Sequence, residues 1–309
     1  MPARIRVRSL AKINLDLRVL NRRPDGYHEL RTVFQTISLA DTLEIEYQRG
    51  PTRVEIKSKL NIPGNIIEKT AHSVLQKTGR TGRVGFVLTK NIPLAGGLGG
   101  GSSNAAAVLL ALPPLLGKPL PIGTLLELAA GLGSDVPFFL LGGTALGIGR
   151  GTELYPLPDR PPLPALIIRD EVHSSTAEAY QALKRPSSPR EPDILNFQAS
   201  AWGGHQESVN DFEQVVFRQY PQLKSIKRKL LKLGAAPALM SGSGSCVFGI
   251  FGGRAERDRA AELFRKESAR FRVYPVTMVS RSRYRALWRR QLAAFSEHTL
   301  WPPQDRYAE

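Results

Sequence analysis

The residues with the plainest chemistry lie in one run, Asn91-Ile92-Pro93-Leu94-Ala95-Gly96-Gly97-Leu98-Gly99-Gly100-Gly101-Ser102-Ser103-Asn104. Glycines at this density cost backbone entropy and are kept where a chain must bend or approach another group closely. Ser102, Ser103 and Asn104 are good N-cap residues, and the run from Ala105 to Leu112 is a strong helix former, so a helix is expected to begin among them. A glycine loop that feeds a helix N-terminus offers free N–H groups and the positive end of the dipole, a setting that suits phosphate. The plain alternative is a tight turn without a ligand.

Two familiar phosphate loops do not fit. The Walker pattern closes with Lys-Ser or Lys-Thr, whereas Gly101 is followed by Ser102-Ser103. The dinucleotide fingerprint needs a glycine where Ser102 or Asn104 stands. Three further places carry reactive side chains. Lys12 lies within the alternating strand Ala11-Lys12-Ile13-Asn14-Leu15, Asp135 opens the apolar stretch Gly133-Ser134-Asp135-Val136-Pro137-Phe138-Phe139, and Tyr27-His28 follows the turn Pro24-Asp25-Gly26. Taken singly, each has a structural reading: a lysine on a solvated strand face, a capping aspartate, a packed aromatic beside a surface imidazole.

The elements that must position these residues are legible in outline. Strand alternation runs over 5–9, 13–20, 33–37, 42–47 and 53–58, and helical spacing over 65–78. A strand over 84–89 leads into the glycine loop, and Pro113-Pro114 is expected to close the helix that follows it. A short helix over 124–130 and a glycine-laden strand over 142–151 come next. The proline-rich stretch 156–164 marks a boundary between a unit of residues 1–160 and a second of 161–285, with 286–309 as a basic tail. The second unit is expected to hold strands at 165–168, 246–251 and 273–279, helices at 175–183, 211–217, 223–233 and 255–266, a Pro/Ser-rich linker at 186–192 and a loop at 199–208. Helix 255–266 and strand 273–279 complete a βαβ-like unit.

Composition sets the limits. The chain has 309 residues, 42% hydrophobic and 23% charged, which suits a globular enzyme of two domains. A single cysteine, Cys246, excludes an internal disulfide framework and reads as a small buried hydrophobe. No secretory leader precedes the first strand and no apolar run is long enough to span a bilayer, so a soluble cytoplasmic protein is expected. The formal charge of +16 invites a nucleic-acid reading. The excess at 224–232 and 281–290 has the look of solvated helix faces, and lacks interleaved aromatics.

The loop Pro-Leu-Ala-Gly-Gly-Leu-Gly-Gly-Gly-Ser-Ser-Asn-Ala-Ala resembles the ATP loop of the GHMP small-molecule kinases. The Lys12 and Asp135 segments, Pro24-Asp25-Gly26-Tyr27-His28, Ser175-Thr176 with Tyr180, Asn210-Asp211-Phe212-Glu213 and Ser241-Gly242-Ser243-Gly244 stand in the family's order, over nearly the whole chain. The set is similar to the branch that phosphorylates the 2-hydroxyl of a cytidylylated methylerythritol on the non-mevalonate route to isoprenoid precursors. One departure is Ser134, where alanine is more usual. Other branches, acting on homoserine or a sugar, and a basic nucleic-acid module are the rivals.

The resemblance implies an α+β fold, with an N-terminal ribosomal-protein-like domain, a ferredoxin-like C-terminal domain and the active site between them. It implies that Asp135 takes the proton of the acceptor hydroxyl and that Lys12 stabilises charge beside it. Pro93, Gly96, Gly97, Leu98, Gly99, Gly100, Gly101, Ser102, Ser103 and Asn104 would hold ATP, with Mg2+ neutralising the phosphoryl group through ligands that the sequence does not assign. Asn14, Tyr27, His28 and Tyr180 would bind the acceptor, the two tyrosines facing each other across the cytosine. Gly242, Ser243 and Gly244 would support the phosphate loop. The expected partners are a small-molecule acceptor and ATP, with no specific nucleic acid and no membrane, in a monomer or homodimer.

Overall fold

The computed structural model describes residues 3–172, 174–183 and 208–298. The linker expected at 186–192 and nearly all of the loop expected at 199–208 lie outside the described residues. The early alternation builds two long strands rather than four short ones, β1 (Ala3–Arg22) and β2 (His28–Gln48). They pair antiparallel, with Ala3 opposite Tyr47 and Arg22 opposite His28. The turn at Pro24-Asp25-Gly26 is closed by the Arg23 N–H donating to the Tyr27 carbonyl at 2.7 Å. What looked like a strand break is a register shift: β1 is irregular at Leu10/Lys12, Asn14/Asp16 and Val19/Asn21. Each bulge re-aims the side chains without ending the ladder. As a result β1 threads three cores in turn: Ile5 and Val7 enter one, Ala11, Ile13 and Leu15 another, Leu17 and Val19 a third.

β3 (Arg53–Ser58), α1 (Ile66–Thr78), β4 (Arg83–Thr89), α2 (Gly100–Leu115), α3 (Ile122–Leu132), α4 (Phe138–Leu141), β5 (Thr144–Gly149) and β6 (Glu153–Pro156) complete the first sheet and its helices. The sheet order is β3-β4-β2-β5-β6, with β1 running along β2. α2 is apolar all round and buried from Ser103 to Leu115, as a central helix must be. Pro113 and Pro114 do not close it, contrary to expectation. Both sit in its last turn, where they forgo the N–H donors to the Leu109 and Leu110 carbonyls without ending the helix, and Gly117 at φ 64° ends it by donating to the Pro114 carbonyl.

The second sheet is built from β7 (Pro164–Arg169), β8 (Ala238–Met240), β9 (Val247–Ile250) and β10 (Arg272–Thr277), in the order β10-β7-β9-β8. Between its strands lie α5 (Thr176–Leu183), α6 (Glu213–Gln219), α7 (Pro221–Lys232) and α8 (Arg254–Glu267). β9 and β10 both run antiparallel to β7, so they are parallel to each other with β7 between them. The βαβ unit is therefore split, which is the ferredoxin-like arrangement, and the α+β class expected from the sequence holds. Strand periodicity divides β7 cleanly: Leu166 and Ile168 pack with Leu230 and Phe264 of the helices, whereas Ala165 and Ile167 pack with Ile13 and Ile37 of the first sheet. The sheets thus share an apolar core.

The C-terminal end departs from the basic tail expected over 286–309. α9 (Arg281–Gln291) buries Tyr284 and Trp288 in the core of the first sheet, and the Tyr284 hydroxyl donates to the Phe139 carbonyl. Gly142 lies where a Cβ would stand 2.1 Å from the Tyr284 ring. The arginines that dominate its composition, among them Arg283, Arg289 and Arg290, sit on the exposed side. The apolar spacing, 284 to 288, was hidden by that charge. We propose dividing the chain into a first unit that ends near residue 160 and includes α9, and a second running from Pro164 to Thr277. Among the described residues no helix is long and apolar enough to cross a membrane.

Trp288→Ala should destabilise the first unit by about 3–5 kcal/mol, the range for emptying a packed aromatic site. Arg290→Ala should change stability by no more than about 0.5 kcal/mol. Denaturant unfolding of both variants checks this; equal small effects would mean that α9 is peripheral.

Candidate active site

Lys12 is where the elements meet. The bulge beside it frees its N–H from the β1–β2 ladder, and that N–H donates to the Leu98 carbonyl of the glycine loop at 3.0 Å. The side chain is 3% exposed. A buried ammonium must find acceptors, and this one donates to Asn14 Oδ1 at 2.7 Å and stands 3.3 Å from Asp135 Oδ2. The Phe34 ring lies 5.5 Å from Nζ. Asn14 is oriented in turn by donating to the Thr32 hydroxyl at 2.8 Å, which donates to the Asp16 carbonyl at 2.7 Å. Asp135, held in the turn between α3 and α4, stays one-third exposed, so its carboxylate is open to the cleft.

Two glycine-bearing loops lock against each other beside this pair. The Ser241 hydroxyl donates to the Gly97 carbonyl at 2.9 Å, and the Cys246 N–H donates to the Gly96 carbonyl at 3.3 Å. Gly97 has φ 72°, and a Cβ there would stand 1.9 Å from the Ser241 carbonyl oxygen, so no other residue fits. Asn210 holds the second loop from below, its amide donating to the carbonyls of Met240 at 2.7 Å and Gly242 at 2.8 Å. Thr176 and Ser243 share a hydroxyl contact of 2.7 Å, and Ser174 donates to the Ser243 carbonyl. Cys246 beneath is fully buried, and that burial pushes its thiol up to about 12, which makes it inert.

Both loops open on a cleft of 1020 Å³ lined by Lys12, Asn14, Asp135, Ala95, Gly97, Gly99, Gly242, Ser243 and Gly244, and also by Tyr27, His28 and Tyr180. The aromatic end is arranged differently from expectation. Tyr180 stacks on His28, with ring centroids 4.8 Å apart and planes at 23°, and meets Phe212 edge-on. Tyr27 is half exposed and carries the Arg150 guanidinium 3.6 Å above its ring. The two tyrosines therefore line one cleft, but the face of Tyr180 is turned to His28 rather than to Tyr27. Burial and the nearby Arg22 charge push the His28 imidazole below its ordinary value, which leaves it neutral at pH 7. Burial and the Asp135 carboxylate push the Tyr180 phenol upward, so it remains a hydrogen-bond donor.

Several residues expected to touch ATP face inward instead. Ser103 and Asn104 are 2% exposed; Ser103 donates to the Leu10 carbonyl, and Asn104 is fixed by Ser9 and Asp41. Pro93 is buried, and Leu98 packs with Ile13 in the shared core. Their side chains shape the loop from behind, those of Ser103 and Asn104 because α2 is buried from Ser103 onward. The first N–H groups of α2, at Gly100, Gly101 and Ser102, have no acceptor within the helix, and its first turn carries no acidic residue. Sequence reasoning missed the support under this loop, where Asp41 accepts from the N–H groups of Asn91 and Ile92 and pairs with buried Lys90 at 2.8 Å. It also missed Thr32 and Phe34 on β2 and Arg150 in the turn after β5, whose places in the sequence give no sign of a shared cleft.

The model for the GHMP kinases N terminal domain matches residues 65–143, and that for the GHMP kinases C terminal matches residues 194–271. The chain is 50% identical to a 4-diphosphocytidyl-2-C-methyl-D-erythritol kinase of Solibacter usitatus, over 97% of each. A crystal structure of 4-(cytidine 5'-diphospho)-2C-methyl-D-erythritol kinase superposes with a TM-score of 0.74 at 38% identity, covering 89% of this chain and 99% of that one. Homoserine kinase from Cytophaga hutchinsonii shares the fold at 18% identity, with a TM-score of 0.66, over 91% and 96% of the two chains.

Gly97→Ala should lower the melting temperature, because its Cβ cannot share space with the Ser241 carbonyl. At Gly101 a Cβ meets nothing nearer than 3.8 Å, so Gly101→Ala should leave the fold as stable as before. Thermal melts of the two variants without ligand check this, and equal shifts would refute the interlocked loops.

Proposed function

The chain belongs to the GHMP kinases, and from that premise we propose how its cleft works as a kinase. It transfers the γ-phosphoryl group of ATP to the 2-hydroxyl of 4-diphosphocytidyl-2-C-methyl-D-erythritol, a step in the non-mevalonate route to isoprenoid precursors. The observation that carries the reading is the 3.3 Å contact of buried Lys12 with open Asp135, set between the glycine loops and an aromatic pocket in one cleft.

The acceptor hydroxyl oxygen attacks the γ-phosphorus, the bond to the bridging oxygen of ADP breaks, and the hydroxyl proton passes to the Asp135 carboxylate. Lys12 holds that carboxylate in place and lends positive charge where the attacking oxygen and the phosphoryl group crowd together. Asn14 fixes the lysine. The unshared N–H groups at the start of α2, with Gly97 and Gly99 beside them, receive the phosphates of ATP. Tyr27, His28 and Tyr180 receive the cytosine, the rings by stacking and His28 by a hydrogen bond to the base edge. Opening the His28–Tyr180 stack is the adjustment this asks of the protein.

The residues also fit Mg2+. Among the described residues no three His, Cys, Asp or Glu side chains cluster, and the cleft lining offers one carboxylate, Asp135. That donor set suits an ion held mainly by phosphate oxygens and water, with Asp135 as the protein carboxylate that would face it. When bound, the ion neutralises charge on the phosphates.

ATP consumption with the cytidylylated erythritol, homoserine, mevalonate and galactose as acceptors tests the reading. Turnover of the cytidylylated alcohol alone is expected, and robust turnover of homoserine without it would sink the assignment. Asp135→Asn should lower kcat by roughly 10²–10⁴ while the melting temperature holds. A variant of near-normal turnover would show that the proton leaves by another route.

A further inference from the structure

Charge in the cleft is unevenly answered. Lys12, Arg22 and Arg150 line it together with one carboxylate, Asp135, and that carboxylate is engaged by Lys12. Arg23, the neighbour of Arg22, is matched by Asp25 and Glu29. Arg22 and Arg150 form no ion pair among the described residues. Asp25 senses the charge of Arg150, yet it is already occupied by Arg23 and by the Tyr27 N–H. Arg22 thus has no carboxylate partner among the described residues and Arg150 only a share in one that Arg23 already holds, so both offer positive charge to an anion in the cleft.

Their placement says which anion. Arg150 rides the tight turn between β5 and β6, whose backbone is fixed where the Gly149 N–H donates to Glu29 Oε1 at 3.2 Å. Its guanidinium carbon lies 3.6 Å from the centre of the Tyr27 ring, and its Nε is shielded from solvent without a hydrogen-bond partner. A guanidinium held over a ring by cation–π attraction keeps N–H donors free for a phosphate edge. Arg22 stands directly opposite His28 across the β1–β2 ladder, close enough for its charge to depress that imidazole. Both cations thus flank the aromatic end of the cleft, away from the Lys12–Asp135 end. A cytidine diphosphate-linked alcohol that puts its base on the rings and its hydroxyl at Asp135 carries its diphosphate between them.

We propose that Arg150 and Arg22 form the subsite for the diphosphate bridge of the acceptor, with Arg150 also fixing the Tyr27 ring; the proposal rests on the function given above. The test compares inhibition of the kinase reaction by cytidine and by CDP, and the KM for ATP, in wild type, Arg150→Ala, Arg150→Lys and Arg22→Ala. Wild type should prefer CDP to cytidine by roughly 10- to 100-fold, the scale of hydrogen bonds to charged groups. Each alanine variant should lose most of its share of that preference, Arg150→Lys should restore part of it, and the KM for ATP should stay put. An undiminished preference in both alanine variants overturns the subsite. So does an equal loss for cytidine and CDP in Arg150→Ala, which would make Arg150 a prop for Tyr27, or a rise in the KM for ATP, which would assign the arginines to the nucleotide donor. Failure of the functional reading looks different: wild type would then turn over no cytidylylated alcohol and be inhibited by neither probe.

Discussion

A buried ammonium cannot be left without acceptors, and the architecture is arranged around that requirement at Lys12. Its charge is met by Asn14 and Asp135 and its stem packs where Gly99 leaves room, a Cβ there standing 3.1 Å from Lys12 Cγ. Its backbone N–H, released by a bulge, anchors the glycine loop at Leu98. One residue therefore links the strand, the phosphate loop and the carboxylate. The geometry survives because its neighbours are dry and packed: Ala11, Ile13 and Leu15 on the other face of β1 lie in the core shared by both sheets.

That shared core has a consequence for motion. The interlock of Gly97 with Ser241, of Gly96 with the Cys246 N–H, and of Leu17 with Val209 and Asp211 ties the second unit to the first through short contacts that tolerate little sliding. The reacting end of the cleft is thereby pre-organised, which is where phosphoryl transfer gains most of its rate. The aromatic end is looser. Tyr27 is half exposed, and the rings that would receive a base are stacked on His28 and under Arg150 instead. Adjustment on binding is concentrated at the end that recognises the acceptor.

The sequence disclosed what depends on local chemistry. A glycine-rich run ahead of an alanine-rich helix, a Pro-Asp-Gly turn and period-two alternation are each decided by neighbours, and each element formed close to where it was expected. Long-range decisions stayed hidden. That β1 is one strand follows from bulges set by its pairing with β2, and the charge on α9 masks the burial of Tyr284 and Trp288. Ser103 and Asn104 are chemically apt for a ligand, and only the partners Leu10 and Asp41, distant in sequence, show that they are already used. Lys12 and Asp135 lie 123 positions apart by their numbering, so their meeting was accessible through family resemblance and not through spacing.

The central claim is that Lys12 and Asp135 act as one unit, each useful through the other. A double-mutant cycle on kcat, with Lys12→Met, Asp135→Asn and the pair together, measures this directly. If the account holds, the double variant will be no slower than the slower single variant. Losses that multiply, so that the double variant falls by the product of the two single effects, would contradict it and make the 3.3 Å contact incidental to catalysis.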